Sequence, residues 1–127
     1  MAMRGIRGAA TVEHNEKEEI WQAAVEMVEK ILAGNELRTE DIGAAIFTMT
    51  EDLTAAFPTA GVRQRVAGFD MVPLFDARQC AVEGSLEKCI RLLLLVDIDK
   101  AQKDIKHVYL GRAAQLRPDL QQKKLSI

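Results

Sequence analysis

The sequence predicts an α+β (mixed α/β) fold, with one five-stranded mixed sheet, one long helix and one short helix. The apolar run from Cys89 to Val96 has the length of a strand covered on both faces, at the centre of a sheet. Apolar residues recur at helical spacing between Asn15 and Gly34, which predicts a long amphipathic helix lying on that sheet. Four further short segments, rich in apolar and β-branched residues, supply the other strands.

The first strand is predicted at residues 3–12, where side chains alternate between two faces. Arg7 shares its face with the small residues Gly5 and Ala9, which leave room beside the guanidinium for a group from outside the strand. Alternatively, this strand lies at an edge of the sheet and Arg7 reaches water.

The long helix is predicted to begin at Asn15, because Asn15 followed by Glu18 is typical of a capping pair. The Gly34-Asn35 pair ends it, and its charged side chains form a solvated face. Pro58 suits the first position of the short helix, which is predicted to end at Gly68.

The remaining strands are predicted from short apolar runs bounded by turn residues. They cover residues 41–50, residues 69–75 with an interruption at Pro73, and residues 106–110, with 111–116 as candidates for continuing the last strand. Residues 76–84 and 97–106 are expected to be connections, and 118–127 a flexible tail of the single domain 1–127.

Arg91 lies inside the apolar run of the central strand. Strand alternation places it on one face with Cys89, Leu93 and Leu95. An arginine stays charged in a protein, and an unpaired buried charge is very costly. An anionic group must therefore meet Arg91, and it is either an internal carboxylate in a structural salt bridge or a bound anionic ligand.

The composition narrows the class of protein. The 127 residues suit one domain with a core, and 17 basic against 19 acidic residues give no general attraction to nucleic acid or membrane. Cys80 and Cys89 form no disulfide framework and indicate a reducing compartment. His14 and His107 lack companions at the spacing of metal ligands, so no metal site is predicted. The first residues contain no apolar export segment, and the cytoplasm is the expected location.

One long helix covers only one face of a sheet, although the central strand is predicted to be buried on both. Another subunit is the simplest cover for the second face, so we expect an oligomer.

The sequence offers four arginines as candidate site residues, at positions 7, 63, 91 and 117. Tyr109 on the last strand is a further candidate, as a hydrogen-bond donor. The sequence has no Ser/His/Asp arrangement, no meaningful Cys/His pair and no phosphate-binding glycine loop. Guanidinium groups match carboxylates well, which favours binding of a small di-anion. A reaction at such a site would use electrostatic stabilisation rather than proton transfer or a covalent intermediate.

At these residues the chain resembles the monofunctional, trimeric chorismate mutases of the α/β-barrel class. The resemblance runs in order over nearly the whole chain, without a large insertion. It is carried by RGIRGAATVE at 4–13, TEDLTAAFP at 50–58, VPL at 72–74, EGSLEKCIR at 83–91, HVYL at 107–110 and LRPDL at 116–120.

The resemblance implies the Claisen rearrangement of chorismate to prephenate, on the route to phenylalanine and tyrosine. It implies no metal and no organic cofactor. It also implies a homotrimer whose sheets pack into a central pseudo-α/β-barrel, with active sites at the subunit interfaces.

The resemblance also implies roles for matching residues. Arg91 would lie at the ether oxygen, where negative charge develops, and Arg7 and Tyr109 would bind substrate carboxylates. Arg63 and Arg117 would supply positive charge at the mouth of the site. The substrate-binding residues implied in total are Arg63, Phe57, Leu74, Phe75, Cys89, Leu116 and Arg117.

The chain departs from the family pattern at Ala60, where a lysine is common, and at Gln79, where a loop glutamate is usual. Asp76 stands where a small residue is common, so we hypothesise that the catalytic carboxylate has moved to Asp76 and that Gln79 remains as a neutral hydrogen-bonding partner. This requires the chain to turn after Phe75, and the alternative is that Asp76 pairs with Arg78 at the surface.

Two other functions compete with this interpretation. A trimeric di-anion-binding or regulatory protein without catalysis would keep the pocket, and Gln79 is the feature that favours it. A trimeric enamine or imine deaminase has a broadly similar assembly, but the GSL and CIR segments and LRPDL argue against it.

Overall fold

Five strands form one mixed sheet in the computed structural model, which describes residues 2–116. They are β1 (Met3–Thr11), β2 (Ile42–Met49), β3 (Leu74–Arg78), β4 (Cys89–Asp97) and β5 (Val108–Leu110). The spatial order is β3-β2-β4-β1-β5, so the apolar strand β4 is central, as predicted. It runs antiparallel to β1 and β2, while β5 and β3 lie parallel to β1 and β2 at the two edges.

Two helices, α1 (Lys17–Gly34) and α2 (Pro58–Arg65), cover one face of the sheet. Helix α1 lies directly on β1, because a Cβ atom at Gly8 would come within 2.8 Å of the Met27 sulfur. Helix α2 packs equally closely on α1, since a Cβ at Gly61 would lie 2.7 Å from the Trp21 ring. These two glycines set the spacing of the helix layer, and a larger residue at either would push the helices apart.

The core lies between this helix layer and the sheet. Alternate residues of the three inner strands point into it and are completely buried, together with the apolar side of α1. Each such large side chain contributes about 1.5–3 kcal/mol through burial. The largest fully buried side chains of the core include Phe47, Phe69, Ile6, Ile20, Met27, Ile31, Ile90 and Leu94.

Among residues 2–116 the opposite face of the sheet is covered only at one end, where Ala113 of the 3₁₀ helix Gly111–Gln115 packs with Ala9, Cys89 and Tyr109. On the central strand, Leu93 is 37% exposed and Leu95 is half-buried, and Met3 on β1 is 72% exposed. The chain therefore leaves one face of its most apolar strand open, as the single long helix led us to expect.

The start of α1 differs from the prediction. Glu16, not Asn15, is the N-terminal cap residue, and it makes no side-chain capping bond. The Asn15 side chain instead accepts hydrogen bonds from the backbone N–H groups of Thr54 and Ala55 (2.9 and 3.0 Å). Because a side-chain amide satisfies whichever backbone groups lie nearest, Asn15 ties the chain after β2 to the start of α1.

His14 also has acidic neighbours that its sequence position did not suggest. The ring Nδ1 lies 2.7 Å from Glu19, and Glu16 is close enough for one ligand atom of each residue to lie within 4.8 Å of the others. Glu19 is already engaged, because its other oxygen accepts the backbone N–H groups of Glu13 and His14. The group therefore holds the turn between β1 and α1.

The third strand begins later than predicted. Residues Phe69–Met71 form a turn of 3₁₀ helix after Gly68, which has a left-handed φ of 87°. Proline cannot donate within a ladder, so regular pairing starts only beyond Pro73, whose carbonyl accepts the N–H of Ala45. The residues 76–78, predicted as a connection, thus belong to β3.

The last strand is also shorter than predicted. It begins at Val108, and residues Gly111–Gln115 form a 3₁₀ helix instead of continuing it. Gly111 turns the chain with a left-handed φ of 61°, which ends pairing with β1. The expected tail at 118–127 lies outside the described residues. Among residues 2–116, no helix is long and apolar enough to cross a membrane.

Candidate active site

Arg91 lies in the middle of a row of side chains on the open face of the sheet. The strand register pairs it with Thr48 on β2 and with Ala9 on β1, and Ala9 in turn pairs with Tyr109 on β5. Directly opposed residues of antiparallel strands have Cβ atoms about 4.5–5.5 Å apart. Ala9 lies between Arg91 and Tyr109 in this row, and both Ala9 and Tyr109 are buried.

No anion within residues 2–116 neutralises Arg91. Its Nε atom is buried and has no hydrogen-bond partner in this part of the chain. The ion pairs of the described residues lie elsewhere and join His14 to Glu19, Arg38 to Glu40 and Asp41, and Arg65 to Glu18. Among residues 2–116 no salt bridge satisfies Arg91, which favours the anionic-ligand interpretation.

Cys89, two residues before Arg91 on the same face, is fully buried. Burial raises the pKa of its thiol, and the opposing charge of Arg91 does not cancel this effect. The thiol is therefore neutral near pH 7 and forms an unreactive wall. It belongs to a small apolar cluster made of Ala9, Cys89, Tyr109 and Ala113, with Leu86 and Leu116 packed against it.

Arg7 shares the open face and is half-buried, two residues before Ala9. Its backbone N–H donates to Nδ1 of His107 (2.9 Å), which attaches the start of β5 to β1. Five of the predicted site residues thus lie on one side of the sheet, and their roles in a site stay predictions: Arg7, Arg91, Cys89, Tyr109 and Leu116.

Gln79 reaches the same face through Thr48. Its Oε1 atom accepts the Thr48 hydroxyl at 2.9 Å, and its backbone N–H donates to the Met49 carbonyl at 2.8 Å. Since Thr48 lies directly opposite Arg91, it stands between Gln79 and the guanidinium.

A second group of predicted site residues lies on the other side of the sheet. Phe57 caps the N-terminus of α2 and is 64% exposed, Arg63 is exposed on α2, and Leu74 packs against the helix-covered core. In one chain these residues do not meet Arg91. Phe75 is on the open face, but at the β3 edge, where it is 66% exposed. Arg117 lies outside the described residues.

Asp76 belongs to this second group. It pairs with Phe47 in the register and so points to the helix side, whereas its neighbour Ala77 pairs with Thr48 on the open side. The Asp76 carboxylate accepts the hydroxyl of Thr59 (2.5 Å) and the Thr59 backbone N–H (3.4 Å). It therefore anchors the first turn of α2 to the β3 edge.

The prediction that the chain turns after Phe75 is wrong. Strand β3 continues to Arg78, so Asp76 and Gln79 lie on opposite sides, and Asp76 cannot pair with Arg91 of its own chain. The surface alternative is not what the structure shows either. Arg78 donates to the carbonyls of Thr50 (2.7 Å) and Leu53 (3.1 Å).

Thr48 and Thr59 are the polar residues that sequence analysis missed. Each forms its hydrogen bond with a residue 17 or more positions away, Thr48 with Gln79 and Thr59 with Asp76. Alternation could place Thr48 on the open face, but only the register between β2 and β4 shows that it lies opposite Arg91.

The start of β4 is held by a carboxylate. Lys88 has an unusual left-handed φ of 48°, and its N–H donates to both oxygens of Asp52 (3.2 and 3.0 Å). Asp52 also accepts the Thr50 hydroxyl, whose oxygen in turn accepts the N–H of Cys89 (3.0 Å). This arrangement fixes the backbone two residues before Arg91.

We expect Asp52→Asn to destabilise the protein at neutral pH and progressively less in acid. Burial raises the pKa of Asp52, but hydrogen bonds from Thr50 and the Lys88 N–H outweigh it, and the pKa lies below the ordinary aspartate value. A group with a lowered folded-state pKa stabilises the fold above its unfolded pKa, and this is lost as pH falls through the folded value. Tm measured against pH checks this, and a gap between variant and wild type that stays constant into acid would contradict it.

Known proteins resemble this chain in sequence and fold. The chorismate mutase type I family matches residues 3–120. The chorismate mutase AroH of Thermus thermophilus is 48% identical over 120 residues, 94% of this chain and 97% of the relative. The chorismate mutase AroH of Bacillus subtilis is 42% identical over 120 residues, 94% of each chain.

A solved structure of a chorismate mutase also matches this chain. It is a chorismate mutase from Clostridium thermocellum, which matches with a TM-score of 0.84 and 43% identity over 88% of this chain and 98% of that one. The match covers the sheet and both helices that position Arg91 and its neighbours. From the extent of these matches, the chain belongs to the chorismate mutase type I family, whose reaction, the isomerisation of chorismate to prephenate, it catalyses.

Proposed function

We propose that this enzyme accelerates the rearrangement by electrostatic stabilisation of the transition state, with Arg91 as the central charge. The observation that carries the proposal is the buried Arg91 Nε, which has no partner among residues 2–116 and lies on an open face. As the C–O bond of chorismate breaks, its ether oxygen gains negative charge. A fixed cation at that point binds the transition state more tightly than the substrate.

The groups next to Arg91 suit this mechanism better than proton transfer. Three polar groups on the same face support this: the Thr48 hydroxyl opposite Arg91, the Gln79 amide bonded to it, and the neutral Cys89 thiol, and none of the three is a general acid or base near pH 7. Arg7 and Tyr109, on the same face, would bind the carboxylates of the di-anionic substrate.

We further propose that each site is completed by a second copy of the chain in a homotrimer. One chain places the Arg91 group on the open face and the group of Phe57, Arg63 and Asp76 at the α2–β3 edge on the other side. A pocket that encloses a small ligand needs walls on several sides. Packing the edge of one copy against the open face of the next would supply these walls and cover the apolar open face.

Light scattering at micromolar concentration tests the assembly. We expect a mass of about three times the 14.1 kDa chain, whereas a 14.1 kDa species would contradict the shared site. Leu93→Lys places a charge on the open face and should lower the mass, while Gln22→Lys, an equal charge change on exposed α1 surface, should not. A continuous absorbance assay of chorismate loss on the same samples tests whether activity follows assembly.

The purely binding alternative was suggested by the neutral Gln79. The family match does not favour it, and formation of prephenate by the purified protein would remove it. The match also argues against the deaminase alternative. We place the enzyme in the cytoplasm because Cys80 and Cys89 are free thiols, as is usual in a reducing compartment.

A further inference from the structure

We propose that Thr48 is a positioning residue that orients the Gln79 amide, so that its N–H group and not its oxygen faces the substrate beside Arg91. This part of the pocket would then offer only hydrogen-bond donors, which fits an oxygen of the substrate ring as the acceptor. The inference rests on the proposed function, because it assumes that the substrate binds beside Arg91.

The first step is the location of Thr48. Strand register puts it directly opposite Arg91, on the same open face, where it is half-buried. Because β2 lies between β3 and β4, a side chain that reaches Thr48 from the end of β3 lies on the same face as the guanidinium, with Thr48 between them. Gln79 is that side chain, with a distance of 2.9 Å between the Thr48 hydroxyl oxygen and Oε1.

The second step is the orientation of the amide. The Gln79 backbone is already held by the Met49 carbonyl at 2.8 Å, so the remaining freedom lies in its side-chain torsions. The bond to Thr48 occupies the oxygen end of the amide. The Nε2 end, which carries two N–H donors, is left to face another group.

The third step is the competition that Thr48 prevents. Arg91 Nε is a buried donor with no partner in residues 2–116, and an amide oxygen on the same face is an acceptor that competes with the substrate for it. If Gln79 turned its oxygen to Arg91, both groups would be lost to the substrate. The Thr48 hydroxyl holds the oxygen and keeps the guanidinium available.

This gives Gln79 a role different from that of a glutamate. A carboxylate at position 79 would accept hydrogen bonds and partly neutralise Arg91, whereas an amide held by Thr48 donates and leaves the charge intact. The ring hydroxyl of chorismate would then act as an acceptor toward Gln79. Its recognition would depend on the orientation of the amide and not on a negative charge.

A double-mutant cycle tests the inference. Thr48→Val keeps the shape and strand preference of threonine but removes the hydroxyl, and we expect kcat/KM for chorismate to fall on the order of 10-fold. Thr48→Ser retains the hydroxyl and should stay near wild type. In the Gln79→Ala background, Thr48→Val should cause no further loss, because nothing is left to orient.

Other outcomes would overturn it. If Thr48→Val lowers kcat/KM equally with and without Gln79, Thr48 acts through the strand and not through Gln79. If the Thr48→Val protein has the kcat/KM of the wild type, Thr48 has no role in the reaction. Equal losses in the Val and Ser variants would also contradict the inference. Melting curves check folding, and Thr48→Ala serves if the valine variant does not fold. If Arg91 variants lose activity while the cycle is additive, only this inference fails and the proposed function stands.

Discussion

Replacing Arg91 with alanine is expected to lower kcat by at least about 10²- to 10³-fold, the usual loss for one transition-state donor. KM should change less, because the charge that Arg91 stabilises develops only as the C–O bond breaks. Steady-state assays of chorismate loss with purified protein measure both constants. An unchanged kcat with a raised KM would instead assign Arg91 to ground-state binding.

Stability separates this role from a structural one. Within residues 2–116 no carboxylate pairs with Arg91, so replacing it with methionine removes a desolvated charge and loses no ion pair. We expect Arg91→Met to keep or raise Tm while it loses activity, as is common where function is maintained at the expense of stability. A large fall in Tm would support a salt bridge to another copy.

Replacing Asp76 with asparagine is expected to cause a large fall in kcat. As the ether bond breaks, the substrate ring gains partial positive charge, and a carboxylate at its side stabilises that charge. Gln79 is neutral, so Asp76 is the carboxylate that we propose for this role. Adding Gln79→Glu to Asp76→Asn should restore kcat only in part, because it returns a negative charge to the site for the substrate ring but also partly neutralises Arg91. An unchanged kcat in Asp76→Asn would rule out the relocated charge.

A control is needed because Asp76 also anchors α2 through Thr59. Thr59→Val removes the hydroxyl that binds the carboxylate but leaves the negative charge in place. If Asp76 acts only as an anchor, Thr59→Val and Asp76→Asn should lower kcat to a similar extent. If it acts through its charge, Asp76→Asn should be much the more damaging.

The faces of the sheet make the Asp76 prediction sharper. Asp76 and Arg91 of one chain lie on opposite faces, so a site that uses both must take them from different copies. Co-expressed Asp76→Asn and Arg91→Ala chains, in equal amounts, should then assemble at random, so that each mixed trimer keeps one intact site of its three, about one site in four over all trimers. Activity well above that of either variant alone is the expected result.

The features that could be predicted from sequence follow from local patterns. The apolar run at 89–96 predicted the central strand. The arginine within that run predicted a buried cation, because strand alternation and the cost of burying a charge can be judged without knowing the fold. The single long helix likewise predicted an open sheet face. The segments that resemble a family then gave the reaction.

The features that could not be predicted depend on contacts between distant parts of the chain. Asn15 has the sequence context of a helix cap, yet its amide binds residues 54 and 55, which only the packed structure brings near it. The side of the sheet on which Asp76 lies depends on how β3 pairs with β2. Because of Pro73, regular pairing begins only after the segment 69–72 that was predicted to start the strand. Thr48 became part of the site only through the β2–β4 register.

The most direct test of the central claim is the kcat of a protein in which citrulline replaces Arg91. Citrulline is nearly the shape of arginine and can donate hydrogen bonds, but it carries no charge. Because positive charge is what stabilises the developing oxyanion, we predict a kcat almost as low as that of Arg91→Ala, in a protein that melts near the wild-type temperature. A citrulline protein with a kcat close to wild type would contradict the electrostatic account.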